Sequence, residues 1–172
     1  MNVGYLLTNS ARKFPDGLAV IADESRYTFR TFDQRTDRLA SAMLNTGLKK
    51  GDRAAILFFN GIHFVETYFA AIKAGLVATP INFRLAVPEI LYLIHNSQSK
   101  IVFYDPAFDT PLKAAQVRMQ NVRWFVSPHC EDPSMAMDYD TFAARGEDPF
   151  FSVPHVAEDD PCQLMYTSGT TG

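Results

Sequence analysis

Apolar residues along the chain follow two kinds of pattern, helical spacing and short continuous runs, and the two alternate from end to end. This alternation is typical of an α/β protein, in which helices cross between the strands of a mostly parallel sheet. Strands are predicted at 18–22, 26–28, 53–59, 76–81, 101–104, 123–126 and 163–166. Helices are predicted at 3–13, 29–45, 61–74, 88–94, 112–119 and 139–144.

Four residues predict where these elements begin and end. Thr28 is suited to cap a helix, because its hydroxyl can accept a hydrogen bond from a backbone N–H two or three residues later. Asn60 is predicted to cap the following helix, and Gly75 to end it with a positive φ. Pro80 lacks a backbone N–H, which restricts its strand to an edge, an end or an irregular position. The run 26–28 is expected to return antiparallel to 18–22 as a small hairpin.

The composition is that of a folded domain without a nucleic-acid partner. With 172 residues and 47% hydrophobic content, one domain would bury about 70% of the surface that its unfolded chain exposes. The formal net charge is −3 and the basic residues are scattered, so the sequence lacks the basic patch of a nucleic-acid-binding surface. The N-terminus lacks a signal-peptide pattern, and no run approaches the ~20 apolar residues of a membrane span. We therefore expect no transmembrane segment and a cytoplasmic location.

The cysteines and histidines do not predict a metal site or a disulfide. Cys130 and Cys162 lie far apart in the sequence, and free reduced thiols are expected. The histidines do not have the spacing of metal ligands. They stand at His63, His95, His129 and His155.

The richest chemistry lies at the end of the sequence. The apolar run 163–166 is followed by Thr167, Ser168, Gly169, Thr170, Thr171 and Gly172. Glycines let a backbone approach an anion closely, and the hydroxyl side chains add hydrogen-bond donors, so this segment can surround a phosphate. It is a poor Walker loop, because no lysine follows Gly172 in the sequence. Taken alone, such a segment also fits a flexible polar tail.

Three stretches resemble the adenylate-forming enzymes, which include acyl-CoA synthetases, aryl-CoA ligases, luciferases and peptide-synthetase adenylation domains. The stretch 166–172, Tyr-Thr-Ser-Gly-Thr-Thr-Gly, is similar to the phosphate-loop signature of that family. The stretch 72–82, Ile-Lys-Ala-Gly-Leu-Val-Ala-Thr-Pro-Ile-Asn, is similar to its Leu-Lys-Ala-Gly-x-x-x-x-Pro-Leu-Asn motif. The stretch 27–32, Tyr-Thr-Phe-Arg-Thr-Phe, resembles Leu-Thr-Tyr-x-Glu-Leu, although Thr31 and Phe32 replace the usual Glu and Leu.

The resemblance implies a two-step reaction. A carboxylic acid and ATP, with Mg²⁺, give an acyl-adenylate and pyrophosphate, and coenzyme A then displaces AMP to form a thioester. Residues 167–172 are implied to bind the phosphates of ATP, with hydroxyl contacts from Thr167, Ser168, Thr170 and Thr171 and close backbone approach at Gly169 and Gly172. No catalytic base is assigned, because a carboxylate is already ionised at pH 7. Asn82 resembles the acyl-CoA synthetases more than the peptide-synthetase domains, which favours fatty or related organic acids.

The family's loop continues into Pro-Lys-Gly, and its later motifs supply the adenine, ribose and acyl sites and a C-terminal domain. Residues 1–172 are therefore expected to be the N-terminal part of an AMP-binding domain, inactive alone. Such a piece of a sheet would expose an edge or an apolar face, so self-association is expected. Two alternatives stay open: a stand-alone phosphate-binding or regulatory module without catalysis, and a remnant of a P-loop NTPase.

Overall fold

The computed structural model describes residues 3–130, 132–146 and 155–167. Within these residues the helices are α1 (Gly4–Lys13), α2 (Phe29–Asn45), α3 (Ile62–Lys73), α4 (Val87–Asn96), α5 (Asp109–Ala115) and α6 (Tyr139–Ala143). The strands are β1 (Leu18–Ala22), β2 (Ser25–Thr28), β3 (Arg53–Leu57), β4 (Val77–Pro80), β5 (Ile101–Tyr104), β6 (Trp124–Ser127) and β7 (Met137–Asp138). Single turns of 3₁₀-helix at Pro106–Phe108 and Gln116–Arg118 flank α5.

In the described part of the chain, five strands form one parallel sheet in the order β4-β3-β5-β6-β7, and β1 and β2 form a separate antiparallel hairpin. The α/β class predicted from the sequence is therefore confirmed. So is the hairpin, in which Val20 pairs with Tyr27. All carboxyl ends of the five strands lie at one edge of the sheet, as parallel pairing requires.

The central strand β3 is covered on both faces, which explains its continuous apolar sequence. Ala54 and Ile56 pack into the core on one face, among residues of α2 and α3. Ala55 and Leu57 pack into the core on the other face, among residues of α4 and α5. Successive side chains of a strand point to opposite faces, so each of the two buried layers receives every second residue.

The predicted ends of helices are confirmed at two of three positions. The Thr28 hydroxyl accepts a hydrogen bond from the N–H of Thr31 and caps α2. Gly75 follows α3 with a φ of +73°. The prediction that Asn60 caps α3 is wrong, because α3 begins one residue later: Gly61 stands at the N-cap, and no side chain caps the helix.

Two predictions near the end of the chain require correction. The strand predicted at 163–166 is reduced, among the described residues, to a single parallel bridge between Gln163 and Ala78. The stretch after Val126, expected to be irregular apart from a short helix, also contains β7, which pairs with β6 at Met137 and Asp138. A two-residue strand has no hydrophobic period of its own, so the sequence pattern could not predict it. The short helix is confirmed as α6.

Pro80 ends β4, which is the outermost strand on its side of the sheet. This position agrees with the restriction that the missing N–H imposes. The helices of residues 3–130, 132–146 and 155–167 include none with both the length and the apolar character needed to cross a bilayer.

Candidate functional site

The segment that leads to the predicted phosphate loop lies beside the edge strand β4. The N–H of Ala78 donates to the carbonyl of Cys162 at 3.0 Å, and the N–H of Leu164 donates to the carbonyl of Ala78 at 2.9 Å. The bridge is parallel, so the segment runs in the same direction as β4 and reaches the carboxyl end of the sheet after Gln163. Ligands of open α/β sheets bind beyond that end.

Thr167 is exposed there. Ser168, Gly169, Thr170, Thr171 and Gly172 lie outside the described residues, so their contacts with phosphate stay predictions.

Two tyrosines anchor this segment to the helices on either side of β4. The hydroxyl of Tyr68, on α3, donates to the side-chain carbonyl of Gln163. The hydroxyl of Tyr166 donates to the side-chain oxygen of Asn96, on α4, at 2.7 Å. Tyr166 would end the strand predicted at 163–166, but it is half-buried and belongs to no strand. Its hydrogen bond instead fixes the residue immediately before Thr167.

A cavity of about 580 Å³ lies next to Thr167. Its wall includes Pro80, Asn82, Leu85, Glu89, Tyr92 and Tyr166. Two polar side chains in this wall accept hydrogen bonds from nearby backbone: Asn82 accepts from the N–H of Arg84 at 3.0 Å, and Glu89 accepts from the N–H of Ala86 at 2.7 Å. Among the described residues, neither lysine nor arginine lines the cavity. The described residues therefore give the cavity beside Thr167 a mostly apolar wall without a cation.

Three phenylalanines meet at the same end of the sheet. Phe59 follows β3 and packs edge-on against Phe83, which follows β4, with ring centroids 5.0 Å apart. Phe108, which follows β5, lies 5.8 Å from the Phe59 ring. Phe59 is 43% exposed. The carboxyl end of the sheet thus carries an apolar surface, which we call the phenylalanine cluster (Phe59, Phe83 and Phe108).

A second cavity, of about 600 Å³, lies at the opposite side of the sheet, beside β6 and β7. Methionines at 119, 135 and 137 and the side chain of Trp124 line it. Thr167, the one predicted phosphate-binding residue within the described ranges, is not part of its wall. Trp124 begins β6 in a half-buried position.

The buried charges lie away from Thr167 and hold helices together. The Lys73 ammonium, on α3, is 6% exposed and contacts Asp33 at 2.6 Å and Asp37 at 2.7 Å, both on α2. Burial raises the pKa of Asp37, although Lys73 opposes that shift. His63 packs against Tyr139 with ring centroids 4.8 Å apart, and burial lowers its pKa. His63 is therefore a packing residue between α3 and α6.

Within 3–130, 132–146 and 155–167, no group of three or more His, Cys, Asp or Glu residues is arranged to hold a metal ion. Cys130 and Cys162 are both free, as predicted.

These observations define an α/β domain whose predicted ligand residues follow a segment at the carboxyl end of a parallel sheet. The model of the family described as "AMP-binding enzyme" matches residues 7–172. A long-chain-fatty-acid–CoA ligase of Mycobacterium tuberculosis is 33% identical over 178 residues, covering 99% of this chain and 33% of that protein. A medium-chain-fatty-acid–CoA ligase of Ectopseudomonas oleovorans is 30% identical, covering 99% of this chain and 33% of its own length.

A solved structure from the same class of enzyme is also similar to this chain. The inhibitor-bound N-terminal domain of FACL13 from Mycobacterium tuberculosis is 30% identical with a TM-score of 0.83, over 99% of this chain and 42% of that one. The chain belongs to the AMP-binding enzyme family. It spans about a third of the length of the curated relatives it matches.

Sequence reasoning missed the residues that hold the segment before the loop. Tyr68 and Asn96 lie 95 and 70 positions away from their partners, and a single sequence carries no signal that links such distant residues. Lys50 and Asp160 form a further contact of this kind. These two residues lie 110 positions apart in the sequence.

Proposed function

We propose that this chain is the N-terminal part of the AMP-binding domain of an acyl-CoA ligase, and that residues 167–172 bind the phosphates of ATP in the parent enzyme. The observation that carries the proposal is the place of Thr167. It lies at the carboxyl end of the sheet, directly after a residue fixed by hydrogen bonding, in a chain that matches the family along residues 7–172.

The chemistry of adenylation explains why such a loop is needed. As the carboxylate oxygen attacks the α-phosphorus of ATP, the bond to the β-phosphate oxygen breaks and negative charge builds on the departing pyrophosphate. Hydroxyl and backbone N–H donors held in advance stabilise that charge without reorganising during the reaction. Thr167, Ser168, Thr170 and Thr171 supply hydroxyls, and Gly169 and Gly172 permit close approach of the backbone.

Mg²⁺ enters this proposal together with ATP. The ion usually keeps several waters and is bound through substrate phosphates and one or two carboxylates. When bound, it would offset phosphate charge. The apolar cavity beside Thr167 contributes no cation of its own among the described residues. Coenzyme A is the acceptor in the second step, in which its thiolate replaces AMP on the acyl carbon.

The substrate class we propose is a fatty or related organic acid. Asn82 stands where peptide-synthetase domains usually have an aspartate, which is the residue-level reason for this choice. The relatives named above act, by their names, on long-chain and medium-chain fatty acids. Others are named for 4-hydroxybutyrate and feruloyl-CoA. The acyl group that the parent enzyme prefers is identified by assaying it with different acids.

Substitutions in the loop test the proposed role. In the parent enzyme, Thr170→Ala and Thr171→Ala should each lower kcat/KM for ATP roughly 10- to 100-fold, the effect of removing one hydrogen bond to a charged group. Thr110→Ala, at an exposed position of α5, is the matched control and should leave kcat/KM unchanged. Loop variants that behave like the Thr110 variant would contradict the assignment of the loop to phosphate.

A further inference from the structure

Lys50 joins the turn before β3 to the segment that leads to the loop. Its ammonium donates to the carbonyl of His155 at 3.0 Å and forms an ion pair with Asp160. Asp160 in turn accepts from the N–H of Ala157 at 2.6 Å, which closes residues 157–160 into a turn. The Lys50 side chain is 38% exposed and that of Asp160 26% exposed, so the pair is partly open to solvent.

Gly75 lies next to this contact and leaves room for it. A Cβ at that position would lie 3.1 Å from the Val156 side chain and 3.4 Å from the Lys50 side chain. The Gly75 carbonyl also accepts from the N–H of Gly51 at 2.9 Å, next to Lys50. The absence of a side chain at Gly75 therefore lets the stem of Lys50 and the Val156 side chain pack over the end of α3. We call this group the Lys50 clasp (Lys50, Gly75, Val156 and Asp160).

The clasp lies immediately upstream of the contacts that place Thr167. Two residues after Asp160, the carbonyl of Cys162 accepts from Ala78 in the edge strand. Gln163 and Tyr166 then bond to Tyr68 and Asn96. Between Asp160 and Thr167 the chain has seven steps, and several of these residues contact the body of the domain. A shift of Asp160 is therefore passed along a short, tethered segment.

We propose that the Lys50 clasp positions the phosphate loop, so that Lys50 acts on ATP binding through the segment 155–167 and not by touching the nucleotide. The role in ATP binding rests on the proposed function, whereas the ordering of the segment by Lys50 does not. Lys50 is thus a positioning residue. The glycine of the 72–82 motif contributes to this positioning, since the absence of a side chain at Gly75 makes room for the clasp.

The ordering is tested on the 172-residue chain by hydrogen exchange of backbone amides. The Leu164 N–H, bonded to Ala78, is the reporter, and amides of β5 report global opening. Lys50→Met should speed exchange at Leu164 roughly tenfold while β5 is unchanged, because only local opening becomes easier. Lys50→Arg should restore slow exchange, since it keeps the cation. Lys49→Met, at the exposed neighbouring lysine, should leave Leu164 unchanged.

The consequence for ATP is tested in the parent enzyme by separating KM from kcat. Lys50→Met and Asp160→Asn should each raise KM for ATP several-fold and leave KM for the acid unchanged, whereas Lys49→Met and Asp159→Asn should change neither constant. Asp160→Asn provides a second variant that keeps the shape of the side chain.

Equal Leu164 exchange in the Lys50→Met and Lys49→Met variants would overturn the clasp. Equal KM values for ATP in those variants would overturn its link to the loop. A parent enzyme without any adenylation activity would instead refute the proposed function. Hydrogen exchange at Leu164 would still test whether the clasp orders the segment.

Discussion

Gly75 meets two demands that an alanine could not meet together. Its φ of +73° lies in the left-handed region, and a Cβ there would lie 3.1 Å from the Val156 side chain. Gly47 has a similar φ of +84°, but a Cβ there would meet nothing within 4 Å. Both glycines satisfy a backbone requirement, a positive φ, but only Gly75 also satisfies a packing requirement, the space that Val156 occupies.

Alanine at each glycine measures the two requirements. Gly47→Ala should lower the free energy of unfolding by about 1 kcal/mol, the cost of a side chain in the left-handed region. Gly75→Ala should lower it by about 2 kcal/mol or more, because crowding against Val156 is added. Urea unfolding followed by circular dichroism gives both values. Equal losses at the two positions would show that Val156 does not pack on Gly75.

Glu66 is the buried carboxylate whose titration should be visible in stability. It is 2% exposed and accepts from Arg35 at 2.8 Å. Burial raises the pKa of Glu66 more than the Arg35 hydrogen bond lowers it. The folded state therefore takes up a proton at a higher pH than the unfolded chain does.

Because the pKa of Glu66 is raised in the folded state, its contribution to the free energy of unfolding should rise as pH falls from neutral. The contribution should level off below the ordinary glutamate pKa of 4.5. The measurement is the unfolding free energy of wild type minus that of Glu66→Gln, at pH 7 and at pH 5. The difference should be larger at pH 5. Glu24→Gln, on the exposed hairpin turn, is the control. A difference that shrinks on acidification would reverse the assigned sign.

At the scale of elements, the N-terminus of α2 shows how a departure from the family's motif is tolerated. Thr31 stands where the motif has glutamate, and its hydroxyl donates to the carbonyl of Thr28 at 3.1 Å. The Thr28 hydroxyl still caps the helix through the N–H of Thr31. Thr31 therefore does not provide the carboxylate that a glutamate would direct at the N–H of Thr28 in a capping box.

Thr31→Glu should therefore stabilise the domain by less than about 1 kcal/mol, through the completed capping box and the favourable charge near the helix dipole. Thr31→Gln isolates the hydrogen bond, since it adds the acceptor without the charge. Thermal and urea unfolding give the comparison. Destabilisation by both variants would mean that the Thr31 hydroxyl contributes more than the capping box does.

Most elements could be predicted because their signals are local. Thr28 and Gly75 act within a few residues of themselves, and β1 and β3 carry continuous apolar runs. The failures have equally physical causes. The prediction that Asn60 is the cap depended on where α3 begins, and the observed helix begins one residue later than predicted. The strand at 163–166 had the right composition, but β4 pairs with the segment at Ala78 alone among the described residues.

At the scale of the whole molecule, apolar side chains are exposed at the end of the sheet that carries Thr167. Phe59 in the phenylalanine cluster is 43% exposed and Met165 is 65% exposed. The outer edge of β4 is paired by the described residues only through the bridge at Ala78. Unpaired edges and exposed apolar patches favour association.

We expect the 172-residue chain to self-associate in solution. Light scattering at increasing concentration should show a rising mean mass, and a dye that binds exposed apolar surface should fluoresce with the chain. Phe59→Ser should reduce both signals, whereas Val117→Ser, at an exposed position beyond α5, should change them less. A monodisperse monomer without dye binding would contradict this expectation.

The site as a whole was predictable only in part. The segment 167–172 was predicted to bind phosphate from its residue types and from three ordered resemblances to a family, and the chain's membership of that family is established. The placement of Thr167 beyond the carboxyl end of the sheet needed the bridge at Ala78. The anchors Tyr68, Asn96 and Lys50 join residues 70 to 110 positions apart, so they emerge only when the chain is folded.

The most direct test of the central claim is carboxylate-dependent exchange of labelled pyrophosphate into ATP. The parent enzyme should incorporate label when a fatty or related organic acid is present and none when the acid is omitted. The 172-residue chain alone should incorporate none under either condition. Acid-independent hydrolysis of ATP to ADP, or the absence of exchange across a panel of carboxylic acids, would contradict the assignment to an adenylate-forming acyl-CoA ligase.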